Sequence, residues 1–85
     1  MNNIKYSIIV VDDKQKYWVD DYEDLSPKAK SVRYDFENKQ QLQQGLDDIP
    51  YDEGYWIFLI DENNNTLISG TFDDAVYEYV EEEIS

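Results

Sequence analysis

The chain reads as an α+β domain of two layers, a mainly antiparallel sheet of about five strands with two helices, in the order β-β-β-α-β-β-α. Three observations predict this. Apolar residues recur with period two over 4–10 and 32–36, the period of a strand. Residues 55–60 are apolar at successive positions, as in a central strand covered on both faces. Two later segments place apolar residues three and four apart, the spacing of one helix face. A length of 85 residues suits one domain, spanning 1–85.

Ile4, Tyr6, Ile8 and Val10 alternate with Lys5, Ser7, Ile9 and Val11, which gives a first strand with one strongly apolar face. Asp12 to Gln15 is a polar turn, and residues 17–22 read as a second strand returning beside the first. In the connection that follows, Ser26-Pro27 is a helix-start signal, enough for a short turn. Val32, Tyr34 and Phe36 alternate with Arg33 and Asp35 as a third strand, although Ala29, Val32 and Phe36 also fit helical spacing, which leaves residues 27–36 open between the two.

Asn38 caps a helix, with Gln41 three residues on as its capping-box partner. Leu42, Leu46 and Ile49 share its inner face, Gly45 weakens it and Pro50 stops it. After the run at 55–60, Asp61 to Asn65 is a turn and residues 67–72 return as a hairpin partner. The last helix turns Ala75, Val76, Tyr79, Val80 and Ile84 inward.

Charge is the strongest anomaly. Twenty acids face seven bases, a net of −13, beyond the ~2–8 usual for a small domain. It is also divided unevenly. Residues 1–39 hold 8 acids and all 7 bases, whereas residues 40–85 hold 12 acids and no base. Asp74, Glu78, Glu81 and Glu82 fall on one face of the last helix, opposite its apolar stripe. Asp73 and Asp74 suit a helix N-terminus, but Glu81, Glu82 and Glu83 stand at the C-terminus, where the helix dipole opposes anions. Asp47, Asp48, Asp52 and Glu53 form a second acidic group between the first helix and the 55–60 run. Tyr77 lies among the acids and offers a ring for an arginine to stack on.

Catalytic chemistry finds no footing. Histidine and cysteine are absent, which removes the commonest general base, the thiol nucleophile and thiolate metal sites. No Walker loop or dinucleotide fingerprint occurs. Asp61, Asn63 and Asn65 imitate the start of a calcium loop, but Thr66 and Phe72 stand where its glycine and final glutamate belong. Adjacent acids such as Asp12-Asp13 and Asp20-Asp21 point to opposite faces of a strand. No cofactor or metal is expected, and the sequence predicts a protein that is not an enzyme. Lys28, Lys30 and Arg33 are too few, in a negative field, to hold nucleic acid directly.

Rigidly held carboxylates can occupy grooves whose Lys and Arg side chains otherwise contact phosphates. In size and charge the chain resembles the phage inhibitors of host nucleases and repair enzymes that act by DNA mimicry. The resemblance implies an acidic inhibitor of a basic, nucleic-acid-binding protein or nuclease. The expected binding residues are Asp73, Asp74, Tyr77, Glu78, Glu81, Glu82 and Glu83, together with Asp47, Asp48, Asp52 and Glu53. Scarce Ala, Gly and Pro, with Arg33 as the sole arginine, fit an AT-rich genome such as that of a low-GC bacterium or its phage. Alternatives are an immunity-type inhibitor of a cationic toxin and an acidic regulatory domain that self-associates through exposed strands. With no long apolar stretch at the N-terminus or elsewhere, the expected location is the cytoplasm, away from membranes.

Overall fold

Ile8, Ile9, Val10 and Val11 are all buried, so the first strand needs a neighbour on each edge and cover on each face. The computed structural model supplies both. It describes residues 3–11, 18–49, 55–71 and 74–84. Strand β1 (Tyr6–Val11) lies between β2 (Ser31–Phe36) and β3 (Trp56–Asp61), and β4 (Thr66–Thr71) pairs outside β3. All three pairings are antiparallel, in the order β2-β1-β3-β4. Two helices, α1 (Lys39–Asp48) and α2 (Asp74–Glu83), complete the α+β fold.

Among the described residues the sheet therefore has four strands, not about five, and residues 18–22 do not form the expected hairpin with 4–11. Trp18 and Val19 have no regular structure, and Tyr22–Asp24 is a single 3-10 turn capped by the Asp21 carboxylate. Tyr17 and the 12–15 turn lie outside the described residues. The reason for the difference is physical. Both edges of β1 are taken, by β2 and β3, while among the described residues no α-helix covers its second face. The apolar residues at 18–29 cover that face. Val19, Tyr22, Leu25, Ala29 and Trp56 pack on Ile9, Val11, Phe58 and Ile60.

Polar anchors fix this cover in place. Trp56 Nε1 donates to the carbonyl of Val19 at 2.8 Å, and its ring stacks on Trp18 with centroids 4.8 Å apart. Ser69 Oγ donates to the carbonyl of Asp20 at 2.7 Å, and Thr66 Oγ1 accepts from the Tyr22 N–H at 2.8 Å. Residues 31–36, open between strand and helix in the sequence, form β2 in register with β1.

Both helices lie on the other face. Leu42, Leu46 and Ile49 of α1 and its C-cap join Val76, Val80 and Ile84 over Ile8, Val10, Ile57 and Leu59. Ala75, expected inside, is exposed, because the inner stripe of α2 is carried by Val76, Val80 and Ile84, with Tyr77 and Tyr79 packed partly against the same core. Asn38 caps α1 as its sequence predicts, its Oδ1 accepting from the Gln41 N–H at 2.9 Å. Gln41 Oε1 reaches back to the Glu37 N–H at 2.9 Å, one residue earlier than a capping box requires.

Gly45 has a packing reason. A Cβ built there would collide with the ring of Phe36, which lies against the helix backbone. The expected hairpin turn at 61–65 is present. Asp61 Oδ1 accepts the Asn63 and Asn65 N–H groups, each at 2.9 Å, while Asn64 adopts the left-handed φ of 65°.

Candidate protein-interaction surface

Two hydrogen bonds set the relation between the helices. Lys39, the first residue of α1, donates from Nζ to the carbonyl of Glu81 near the end of α2, at 3.0 Å. Tyr77 donates from its hydroxyl to the carbonyl of Leu46, near the end of α1, at 2.9 Å. The start of one helix thus meets the end of the other, and they run antiparallel in one layer. Asp47 and Asp48, which directly follow Leu46, thus lie in the same helical layer as Tyr77 and Glu78.

Apart from the exposed Ala75, the outward side of this layer is polar. Gln40, Gln41, Gln43, Gln44, Asp47 and Asp48 are exposed on α1, and Glu78, Glu81, Glu82 and Glu83 on α2. Asp48 accepts from Gln44 Nε2 at 3.3 and 3.4 Å, an i to i+4 contact that holds its carboxylate along the helix. Asp74 is the first residue of α2. Asp52, Glu53 and Asp73 lie outside the described residues.

Tyr77 does two things the sequence does not reveal. It packs against the helix-side core, and its hydroxyl satisfies a main-chain carbonyl near the end of α1 that has no partner within its own helix. Lys39 is the other residue missed. A cation at the first position of a helix opposes that helix's own dipole. This misplacement is the available signal that Lys39 serves a neighbour.

Among the described residues, Lys28, Lys30 and Arg33 lie away from the helical layer. Arg33 and Asp35 point from β2 to the face covered by residues 18–30. Arg33 Nε donates to Asp35 Oδ1 at 2.8 Å, and the buried Ser7 Oγ donates to the same oxygen at 2.6 Å. The carboxyl of Asp35 is held below its ordinary pKa, by Arg33 first and Ser7 second. The Arg33 guanidinium is raised above its ordinary value, chiefly by Asp35. Lys28 and Lys30 stand in the connection that leads into β2. Among the described residues, the imbalance between the halves of the sequence becomes an imbalance between faces of the fold, with mixed charge on the sheet's irregular cover and, Lys39 apart, only carboxylates as charges on its helices.

Compared with family models, with curated proteins and with solved structures, the chain matches none of them. The site must be read from its own chemistry. Among the described residues no group of three or more Asp and Glu side chains is placed to hold a metal ion. A shallow concavity of about 500 Å³ lies on the irregular cover, lined by Tyr22, Leu25, Pro27, Ala29, Ser31 and Asn64 among others. None of the acids expected to bind a partner lines it. No helix among the described residues is long and apolar enough to cross a membrane.

Proposed function

We propose that the chain is an acidic protein inhibitor whose helical layer occupies the nucleic-acid-binding groove of a basic protein. One observation carries this reading. The antiparallel helices bring Asp47 and Asp48 into the same outward layer as Glu78, Glu81, Glu82 and Glu83. The one cation on these two helices, Lys39, is turned to the Glu81 carbonyl.

Spacing supports the reading. Asp74, Glu78, Glu81 and Glu82 span roughly 12 Å of helix axis, a mean of about one acidic residue per 4 Å. A single strand of B-DNA presents one phosphate per ~3.4 Å. The helix therefore carries acidic residues at a mean density along its axis close to that of phosphates along one strand. Exposed ion pairs contribute only ~0–1 kcal/mol each, so the surface acts collectively and steers association more than it tightens any one contact.

The test compares two variants of equal charge. The first combines Asp47→Asn, Glu78→Gln, Glu81→Gln and Glu82→Gln on the helical layer. The second combines Asp20→Asn, Glu23→Gln, Asp24→Asn and Glu62→Gln, exposed acids outside that layer. Partners captured from a bacterial lysate at low salt are challenged with duplex DNA. The reading predicts that DNA displaces the chain and that only the helical variant associates more slowly. Equal loss in both variants would reduce the effect to net charge. A captured partner that DNA cannot displace would favour the toxin-immunity alternative.

A further inference from the structure

We infer that β2 is a self-complementary edge at which two copies of this chain pair antiparallel, with Tyr34 on the two-fold axis. This surface is distinct from the helical layer, and either reading can fail without the other.

The sheet has two edges, and they differ. At β4 the ladder is irregular. Leu59 pairs with Ile68 but Ile60 with Thr66, which leaves Leu67 as an extra residue, and Gly70 takes a φ of 150°. Bulges and strand glycines are devices that blunt an edge against pairing. The other edge, β2, has neither. Its six residues keep one unbroken register with β1, it contains no proline, and among the described residues no strand lies beyond it. Val32 on this strand is 53% exposed, the one large aliphatic side chain so placed among the described residues.

The main chain is set for pairing. The Lys5 N–H donates to the carbonyl of Phe36 at 2.9 Å, so that carbonyl turns toward β1. Carbonyls alternate along a strand, so those of Arg33 and Asp35 turn outward, away from the sheet. An antiparallel partner must therefore match odd residues with odd ones.

The side chains select the register. When Tyr34 faces Tyr34 of a second copy, Arg33 lies directly opposite Asp35 in both directions, and Val32 lies opposite Phe36. The outward main-chain groups of Arg33 and Asp35 then exchange hydrogen bonds, and the opposite charges share one face. The apolar Val32, Tyr34 and Phe36 share the other. Opposite-charge and aromatic with β-branched cross-strand pairs are the favourable combinations in a sheet. Sliding by two residues puts Arg33 opposite Arg33 or Asp35 opposite Asp35, which is unfavourable. The pairing gives a continuous eight-stranded sheet with both helical layers on the same side. The like charge of those layers opposes association, so added salt strengthens the dimer.

Sedimentation equilibrium tests this across a wide concentration range, at low and moderate salt. The expected mass rises toward twice 10.1 kDa, and at lower protein concentration when salt is added. A monomer under all conditions overturns the proposal. Val32→Lys places a charge on the edge at an exposed site where the fold is not at stake. It should return the mass to that of a monomer, and an unchanged dimer would place the interface elsewhere. The chain has no cysteine, so one introduced thiol reports the register. Residues facing each other across a non-hydrogen-bonded antiparallel pair lie about 4.5 Å apart, within disulfide reach. Under oxidation Tyr34→Cys should cross-link to itself and Val32→Cys should not. The opposite pattern rules out Tyr34 on the axis.

Discussion

Lys39 and Glu81 are 42 residues apart in the chain, yet the ammonium of the first donates to the main-chain carbonyl of the second at 3.0 Å. Helix α2 ends on Glu81, Glu82 and Glu83, with no basic residue in its last turn. That arrangement leaves its C-terminal carbonyls facing like charge. Lys39 supplies from α1 the cation that α2 lacks. The same contact explains a lysine at the first position of α1, where the local dipole disfavours it.

Lys39→Gln should therefore destabilise the fold by about 0.5–1 kcal/mol, the usual scale for a charge at a helix terminus. Lys28→Gln removes the same charge from an exposed connection and should stay within about 0.5 kcal/mol of the parent. Chemical denaturation at low salt checks both. Equal effects would mean that the lysines act only through net charge.

Gly45 and Phe36 make a second pair of coupled residues. Alanine is about 1 kcal/mol better than glycine in a helix interior, so propensity alone favours Gly45→Ala. The collision with the Phe36 ring opposes it and should win, with a net loss of about 1–3 kcal/mol from overpacking. Phe36→Leu removes the ring atoms that collide. In that background Gly45→Ala should turn neutral or stabilising, and a double-mutant cycle measures the coupling. Additive effects would show that the ring moves aside without cost.

Salt should raise the melting temperature of dilute, monomeric protein. The helical carboxylates share one exposed layer whose single cation is Lys39, and the screening length falls from ~30 Å at 0.01 M to ~10 Å at 0.1 M. The variant carrying Asp47→Asn, Glu78→Gln, Glu81→Gln and Glu82→Gln should gain less from the same salt. A flat midpoint in the parent chain would mean that its acids do not strain the fold.

The periodic elements were legible because their apolar spacing is a direct image of backbone geometry. Leu42, Leu46 and Ile49 share a face at helical spacing, and the short, β-branched and aromatic run that ends in the buried Ile57 to Ile60 suits a strand covered on both faces. Residues 17–22 misled because apolar content reports burial and not backbone shape. Trp18 and Val19 are partly buried as cover for a sheet face whose need for cover appears only when β1 is seen to be apolar on both sides. The acidic row of α2 was legible from helical period. Its meeting with Asp47 and Asp48 was not, since it depends on the Lys39 and Tyr77 hydrogen bonds, which join residues more than 30 positions apart.

Acid should erase the contribution of Asp35. Its carboxylate accepts from Arg33 and from the buried Ser7, and both lower its pKa in the folded chain. A depressed folded value means that the charged form is favoured by folding. The stabilisation is complete above the unfolded carboxylate value of ~3.9 and is lost as pH falls through the lower folded value. Asp35→Asn keeps the side-chain shape and an acceptor for Ser7 but removes the charge facing Arg33. At neutral pH and high dilution the variant should be less stable by about 1 kcal/mol, the scale of an exposed pair with one well-formed hydrogen bond. Arg33 stays protonated throughout the acid range, so the difference follows Asp35 alone. Asp61 is also held low, by the Asn65 N–H first and the Asn63 N–H after it, but it titrates in both proteins and cancels. Denaturation curves from neutral pH down through the carboxylate range should show the two stabilities converging. A gap that persists below the range would mean that Asp35 contributes through its shape and packing, not through its charge.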